Sequence, residues 1–293
     1  MKAILFLFST ILIYSGCQKL DSNLFNPDNT IEKYYWDDYK GEREFHIGSE
    51  YVVDSLDFNY FTVQSDYKGD KKTIHAVYLG NIEEIKRDTV IVYCHGNADH
   101  MDFYWERAKL LYYAGGKSRF GVLMMDYRGF GLSEGETNEP AMEYDVSACI
   151  EWLEQRGLTE DRMIIYGFSL GSIPAVEICK DKIIKPKKLI LEAPIGNIDV
   201  MVVGASSLSM SSGFMTNIQA DNIEFIKYVD QPLLWIHGVA DSFLPYNTHG
   251  QPIYDNHKGP KEKILVPGGE HGDTPKVYGL VKYMNAVANF IEE

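Results

Sequence analysis

Cysteine and positive charge are both scarce in this sequence, and each scarcity closes off a class of function. Four cysteines stand at 17, 94, 149 and 179, with no Cys-x-x-Cys pair among them. That spacing offers no zinc ligand set. Cys94 lies in an apolar strand-like run, and Cys149 and Cys179 lie on apolar helix faces, where a free thiol serves as a small hydrophobe. A disulfide between two of them stays open in an oxidising compartment. Lys and Arg number 28 against 42 Asp and Glu, a formal net charge of −14. This argues against nucleic acid as a partner, because phosphate binding needs clustered cations. Internal repeats and low-complexity tracts are absent too. What remains is an ordinary globular balance, 45% hydrophobic and 24% charged, over 293 residues.

The first residues stand apart. Met1-Lys2 gives a short positive start, and Ala3 to Tyr14 is an apolar run of signal-peptide length. It falls short of the roughly 20 apolar residues that a membrane-spanning helix needs. Tyr14-Ser15-Gly16-Cys17 resembles the box of a bacterial lipoprotein signal, although Tyr14 stands where Leu is usual. The resemblance implies removal of residues 1–16, acylation of Cys17, and a cell-envelope location on a bacterial membrane. A plain secretory signal followed by an incidental cysteine is the alternative. Residues 17–50 are then expected to be a tether followed by irregular structure, with one globular domain over 51–293.

From about residue 50 the pattern alternates. Short apolar runs read as strands at 57–63, 73–79, 89–94, 121–125, 163–166, 188–191, 233–236 and 263–266. The later runs are continuous rather than alternating, as in strands covered on both faces. Helical stretches fall near 100–114, 139–156, 170–181, 222–229, 245–257 and 275–291. Met142, Val146, Cys149, Ile150 and Leu153 repeat at helical spacing. The expectation is an α/β domain: a mostly parallel eight-stranded sheet with helices on both faces.

One turn carries the chemistry. Gly167-Phe168-Ser169-Leu170-Gly171 follows an apolar strand and opens a helix, which is what a nucleophile elbow at Ser169 requires. A serine hydroxyl needs a base, and the base needs a carboxylate to orient it. In chain order these follow as Asp241, after the 233–236 strand, and His271, in the glycine loop Gly268-Gly269-Glu270-His271-Gly272. His237 is the rival base, though its place at the strand end suits it to shaping the Asp241 loop; His249 and His257 read as surface-helix residues. Glu192 is the rival acid, and Asp255 a weaker one. The strand Val90–Cys94 runs into His95-Gly96-Asn97-Ala98, which reads as an oxyanion loop with backbone donors at Asn97 and Leu170 and Ala98 as the competitor to Asn97. His95 then pins the loop rather than acting as a base. His95, Asp99, His100 and Asp102 match no metal-ligand spacing and read as helix-start polar residues. Asp126 and Arg128 are expected to lock the next loop beside the oxyanion loop. Residues 195–231 separate two strands and read as a small cap with Met201, Met210 and Met215 lining an acyl-sized pocket, or as ordinary packing of short helices.

Taken together, His95-Gly96-Asn97, the run from Asp126 to Ser133, Gly167 to Gly171, Asp241 and His271 resemble the α/β-hydrolase superfamily, in its serine-aminopeptidase-like and depalmitoylase-like branch. The match spans about residues 55–291. The resemblance implies hydrolysis of a carboxylic ester or thioester with no cofactor; an acyl-enzyme, a small-molecule or lipid ester as substrate, and a monomeric protein are expected beside it. Two alternatives stay open. A peptidase acting on an N-terminus would need an acidic pair in the cap, where residues 195–220 offer only Asp199; a non-catalytic surface lipoprotein would keep the fold alone.

Overall fold

The computed structural model describes residues 25–182, 184–198, 200 and 219–293. Cys17 and the residues before it lie outside the described residues, as does most of the expected cap, including Met201, Met210 and Met215.

All eight expected strands form, and they share one sheet. In chain order they are β2 (Phe58–Tyr67), β3 (Asp70–Leu79), β4 (Val90–Cys94), β6 (Gly121–Met125), β7 (Met163–Phe168), β8 (Lys188–Glu192), β9 (Leu233–Gly238) and β10 (Lys261–Val266). Two further strands, β1 (Asn26–Pro27) and β5 (Ala98–Asp99), pair in parallel as a separate ribbon. The large sheet runs β10-β9-β8-β7-β4-β6-β3-β2. Its first six members are parallel, and β3 pairs antiparallel with both β6 and β2.

The continuous apolar runs follow from burial on both faces. Val90, Val92 and Cys94 point into one core with Ile165, Leu189 and Leu191; Ile91 and Tyr93 point into the other with Ile164, Tyr166 and Ile190. The first core is closed by α2 (Glu139–Glu154) and α3 (Ser172–Asp181), the second by α1 (Trp105–Tyr112) and α7 (Leu280–Glu292). Short helices α4 (Asn222–Phe225) and α5 (Gly250–Asn256) join the later strands, and α6 (Thr274–Tyr278) follows β10 and leads into α7. Because successive parallel strands cross over through helices, their C-terminal ends share one edge, and the loops leaving that edge face one another.

Residues 25–45 form a strap bound to this edge. Phe25, Tyr34 and Phe45 are buried, and the Asn26 amide donates to the Asn97 side-chain oxygen at 3.0 Å. Salt bridges run from Lys109 to Asp37 and from Arg43 to Glu106 on α1. The strap changes several local expectations. Asp102 does not cap a helix start; its carboxylate accepts the Tyr35 and Trp36 amides of the strap, and α1 begins only at Trp105. Of the two residues expected to lock the loop after β6 beside the oxyanion loop, Asp126 does so and Arg128 does not. Asp126 meets His95 Nε2 at 3.0 Å and accepts the Tyr34 hydroxyl, whereas Arg128 forks onto Asp145 of α2.

His249 and His257 are not surface residues: both are buried. The Gly196 amide donates to His249 Nδ1, and His257 donates from Nε2 to the Gln231 carbonyl while Nδ1 accepts the Gly259 amide. Burial pushes each imidazole down to about 4. An unfolded chain binds these protons near the ordinary histidine value of about 6.5, so stability is full above that pH and declines toward pH 4. The melting temperature is therefore expected to fall across this window, and His257→Gln to flatten the fall. An unchanged slope in that variant would remove His257 from the acid response.

Candidate active site

β7 delivers the chain to Ser169 with a backbone φ of +50°, a left-handed turn that few residues other than glycine adopt. A single 3-10 turn, Ser169–Gly171, leads into α3. The turn is tight because the chain passes against the end of β4: a Cβ at Gly171 would lie 2.0 Å from the Cys94 carbonyl oxygen. The Ser172 hydroxyl donates to the Ser169 carbonyl at 2.6 Å and accepts the Ile195 amide, tying the turn to the loop after β8.

The structure brings Ser169, His271 and Asp241 together across 102 and 30 residues of chain. His271 Nε2 lies 2.8 Å from Ser169 Oγ, and His271 Nδ1 lies 2.9 Å from Asp241 Oδ2. A carboxylate can only accept, so Nδ1 carries the proton and Nε2 faces the hydroxyl as an acceptor. Asp241 Oδ1 accepts the Phe243 and Leu244 amides, while Oδ2 accepts from both His271 and His237. Burial alone would raise the Asp241 carboxyl, but these donors outweigh it and hold the group well below the usual carboxylate range. The Asp241 and His271 loops approach closely at Gly238, where a Cβ would meet the Gly269 carbonyl at 2.3 Å.

The rival residues lie elsewhere. His237 is fully buried, with Nδ1 accepting the Trp235 indole N–H and Nε2 directed at Asp241 and the Leu244 carbonyl. It shapes the aspartate loop. Glu192 sits at the end of β8 among Arg107, Tyr166, Tyr283 and Thr274. Asp255 accepts from Gln251 on exposed helix surface. His95 is buried against Tyr104 and Asp126 behind its loop. The Ala98 amide donates to the Tyr104 hydroxyl at 2.8 Å, so it is already committed. Among the described residues no group of His, Cys, Asp and Glu is arranged to hold a metal ion. Cys94, Cys149 and Cys179 are free and buried.

A cavity of about 380 Å³ opens over Ser169 and His271. Phe103, Tyr104, Phe168 and Phe243 give it an aromatic wall, Asn97 and Ala98 border it, and Glu42, Arg43 and Glu44 of the strap close one side. Phe243 is 64% exposed, with its ring edge-on to His271. Burial pushes the Glu44 carboxyl up to about 7 against the pull of Arg107.

Sequence reasoning missed Ser172, Glu44 and Arg107. One signal for Arg107 was present: it occupies a position of the apolar stripe Tyr104, Ala108, Leu111, where a charge needs a buried partner.

A parallel sheet with a nucleophile elbow at the end of its central strand is the fold of the α/β-hydrolases. A model of the family described as serine aminopeptidase, S33, matches residues 85–226. The chain is 29% identical over 189 residues to "Uncharacterized protein YfhR" of Escherichia coli (strain K12), covering 62% of this chain and 63% of that protein. It is 28% identical over 204 residues to "Alpha/beta hydrolase domain-containing protein aho-3" of Caenorhabditis elegans, covering 69% of this chain and 57% of that protein. The chain thus spans less than two thirds of the length of these two relatives. The solved esterase Pf2001 of Pyrococcus furiosus superposes with a TM-score of 0.66 over 91% of this chain and 98% of its own; at 17% identity that likeness shows the fold alone. Together the matches support the α/β-hydrolase superfamily for this chain.

Gly171→Ala should test the elbow directly. The added methyl has no room beside the Cys94 carbonyl, and overpacking of this kind costs about 1–3 kcal/mol. A lowered melting temperature is expected in thermal unfolding, and an unchanged one would mean that the turn is looser than described.

Proposed function

We propose that this chain is a serine hydrolase that cleaves carboxylic esters or thioesters through an acyl-enzyme. The observation that carries the reading is the His271 imidazole, placed between the Ser169 hydroxyl and the Asp241 carboxylate within hydrogen-bonding distance of both. In the first step Ser169 Oγ bonds to the carbonyl carbon as its proton passes to His271 Nε2. Asp241 holds the imidazole in its reactive tautomer and stabilises the imidazolium. The Asn97 and Leu170 amides bind the developing oxyanion. Collapse breaks the bond to the alcohol or thiol, which leaves with the proton from Nε2. Water, deprotonated by the same nitrogen, then attacks the acyl carbon and releases the acid and the free serine.

The aromatic wall suits an apolar acyl or alcohol portion. A second reading, release of an N-terminal residue from a peptide, draws on the family description and on Glu42 and Glu44 beside the cavity. The Glu44 carboxylate is forked onto Arg107, which leaves Glu42 to meet an α-ammonium; the ester reading is favoured. For the full chain the reading includes export, removal of residues 1–16, and acylation at Cys17 that holds the hydrolase at the cell envelope, since several acyl chains together suffice for stable membrane attachment.

Ser169→Ala is expected to abolish turnover of short p-nitrophenyl esters while the fold persists, and Asp241→Asn to lower kcat on the order of 10³–10⁴-fold. Undiminished hydrolysis by Ser169→Ala would refute the assignment. Aminoacyl anilides in the same panel separate the two readings: preferential cleavage of the anilides would favour the peptidase. Cys17→Ala should move the protein from the membrane to the soluble fraction on cell fractionation, and retention at the membrane would contradict acylation there.

A further inference from the structure

The helix α1 carries a fully buried arginine that contacts neither the nucleophile nor the base, yet touches the residues beside both. Arg107 donates from Nη2 to the carbonyl of Gly272, the residue after His271, at 2.9 Å. Its guanidinium lies 4.2 Å from the ring centroid of Phe168, the residue before Ser169, and that ring packs in turn against His271. Nε and Nη2 fork onto Glu44 of the strap at 2.9 and 2.8 Å. Nη1 donates to Glu192, and at 3.5 Å to the Tyr283 hydroxyl. The five N–H bonds of the guanidinium are thus all directed at acceptors, and they reach four separate parts of the chain.

We infer that Arg107 is a positioning residue that sets the distance between Ser169 and His271 by tying the histidine loop to the nucleophile elbow and to the N-terminal strap. The loop needs such a tie. His271 stands in the glycine-rich run Gly268 to Gly272, which has little stiffness of its own, and the imidazole must reach a hydroxyl delivered by another strand. Arg107 fixes the loop at Gly272, and Glu192 fixes it again two residues on by accepting the Thr274 hydroxyl. The fixed point for both is the C-terminal end of β8, a central strand of the sheet. Lysine could supply the charge but not this geometry, since a three-donor ammonium cannot fork onto Glu44 while also reaching Gly272 and Glu192.

The inference rests on the hydrolase reading, and the test separates the two. Wild type, Arg107→Lys and Glu44→Gln are compared on one p-nitrophenyl ester, with melting temperature measured alongside. Arg107→Lys keeps the buried charge balanced, and Glu44→Gln keeps Arg107 paired with Glu192. Both are expected to lower kcat with KM within about threefold, by about 10- to 100-fold for Arg107→Lys and less for Glu44→Gln, because a displacement near 1 Å at the reacting atoms costs on that order. A merely structural role would lower the melting temperature and leave kcat per folded molecule unchanged. Wild-type kcat in folded Arg107→Lys would overturn the inference. Should that variant not fold, wild-type kcat in Glu44→Gln overturns it instead. An inactive wild type would count against the hydrolase reading itself.

Discussion

An imidazole suspended between a hydroxyl and a buried carboxylate is the arrangement on which the rest of this molecule depends. Neither neighbour is useful to it unless held within a fraction of an ångström, and the three side chains come from loops far apart in sequence. The parallel sheet meets that demand by ending β7, β9 and β10 on one edge. Each loop then needs only a short excursion to bring its side chain inward. Asp241 shows how tightly this is specified: two backbone amides and two histidines occupy its oxygens, so the carboxylate stays ionised despite burial and cannot turn away from His271.

Around that centre the structure is layered from behind. His237 stiffens the aspartate loop, Ser172 anchors the elbow, and His95 with Asp126 supports the loop that carries Asn97. The strap adds a further layer. It pairs with Ala98 and Asp99, binds the Asn97 side chain, and forms one side of the cavity, so the start of the described chain belongs to the site as much as the sheet does. The charged hub at Arg107 links the strap to the two loops that must meet.

The inner strands were legible because double burial leaves a plain trace, a run of apolar residues bounded by turn residues. The edge strands β2 and β10 are covered less, and were found with shifts of a few residues at their ends. The Ser169, Asp241 and His271 positions were legible because each follows such a run within a glycine-bearing loop. The strap was not. It is held by side-chain hydrogen bonds across 63 to 98 residues, as between Asp102 and the Trp36 amide, Glu44 and Arg107, or Tyr34 and the Leu132 amide, and such pairings leave no period in the sequence. His249 and His257 escaped for a related reason: α5 is only seven residues long, too short for its buried face to declare itself, and both histidines flank it. Asp126 and Arg128 were expected to lock the same loop; Asp126 does so through His95, whereas the partner of Arg128 is Asp145, on a helix 17 residues on, which the motif around Arg128 does not announce.

The central claim is that the Ser169 oxygen becomes an acyl carrier. Rapid acid quenching of the reaction with p-nitrophenyl acetate, followed by proteolysis and mass spectrometry, measures this most directly. The account predicts a single acetyl group on the peptide containing Ser169, appearing before steady state and absent in His271→Gln. Steady hydrolysis with no acyl group on that peptide, or an acyl group on a different residue, would contradict it.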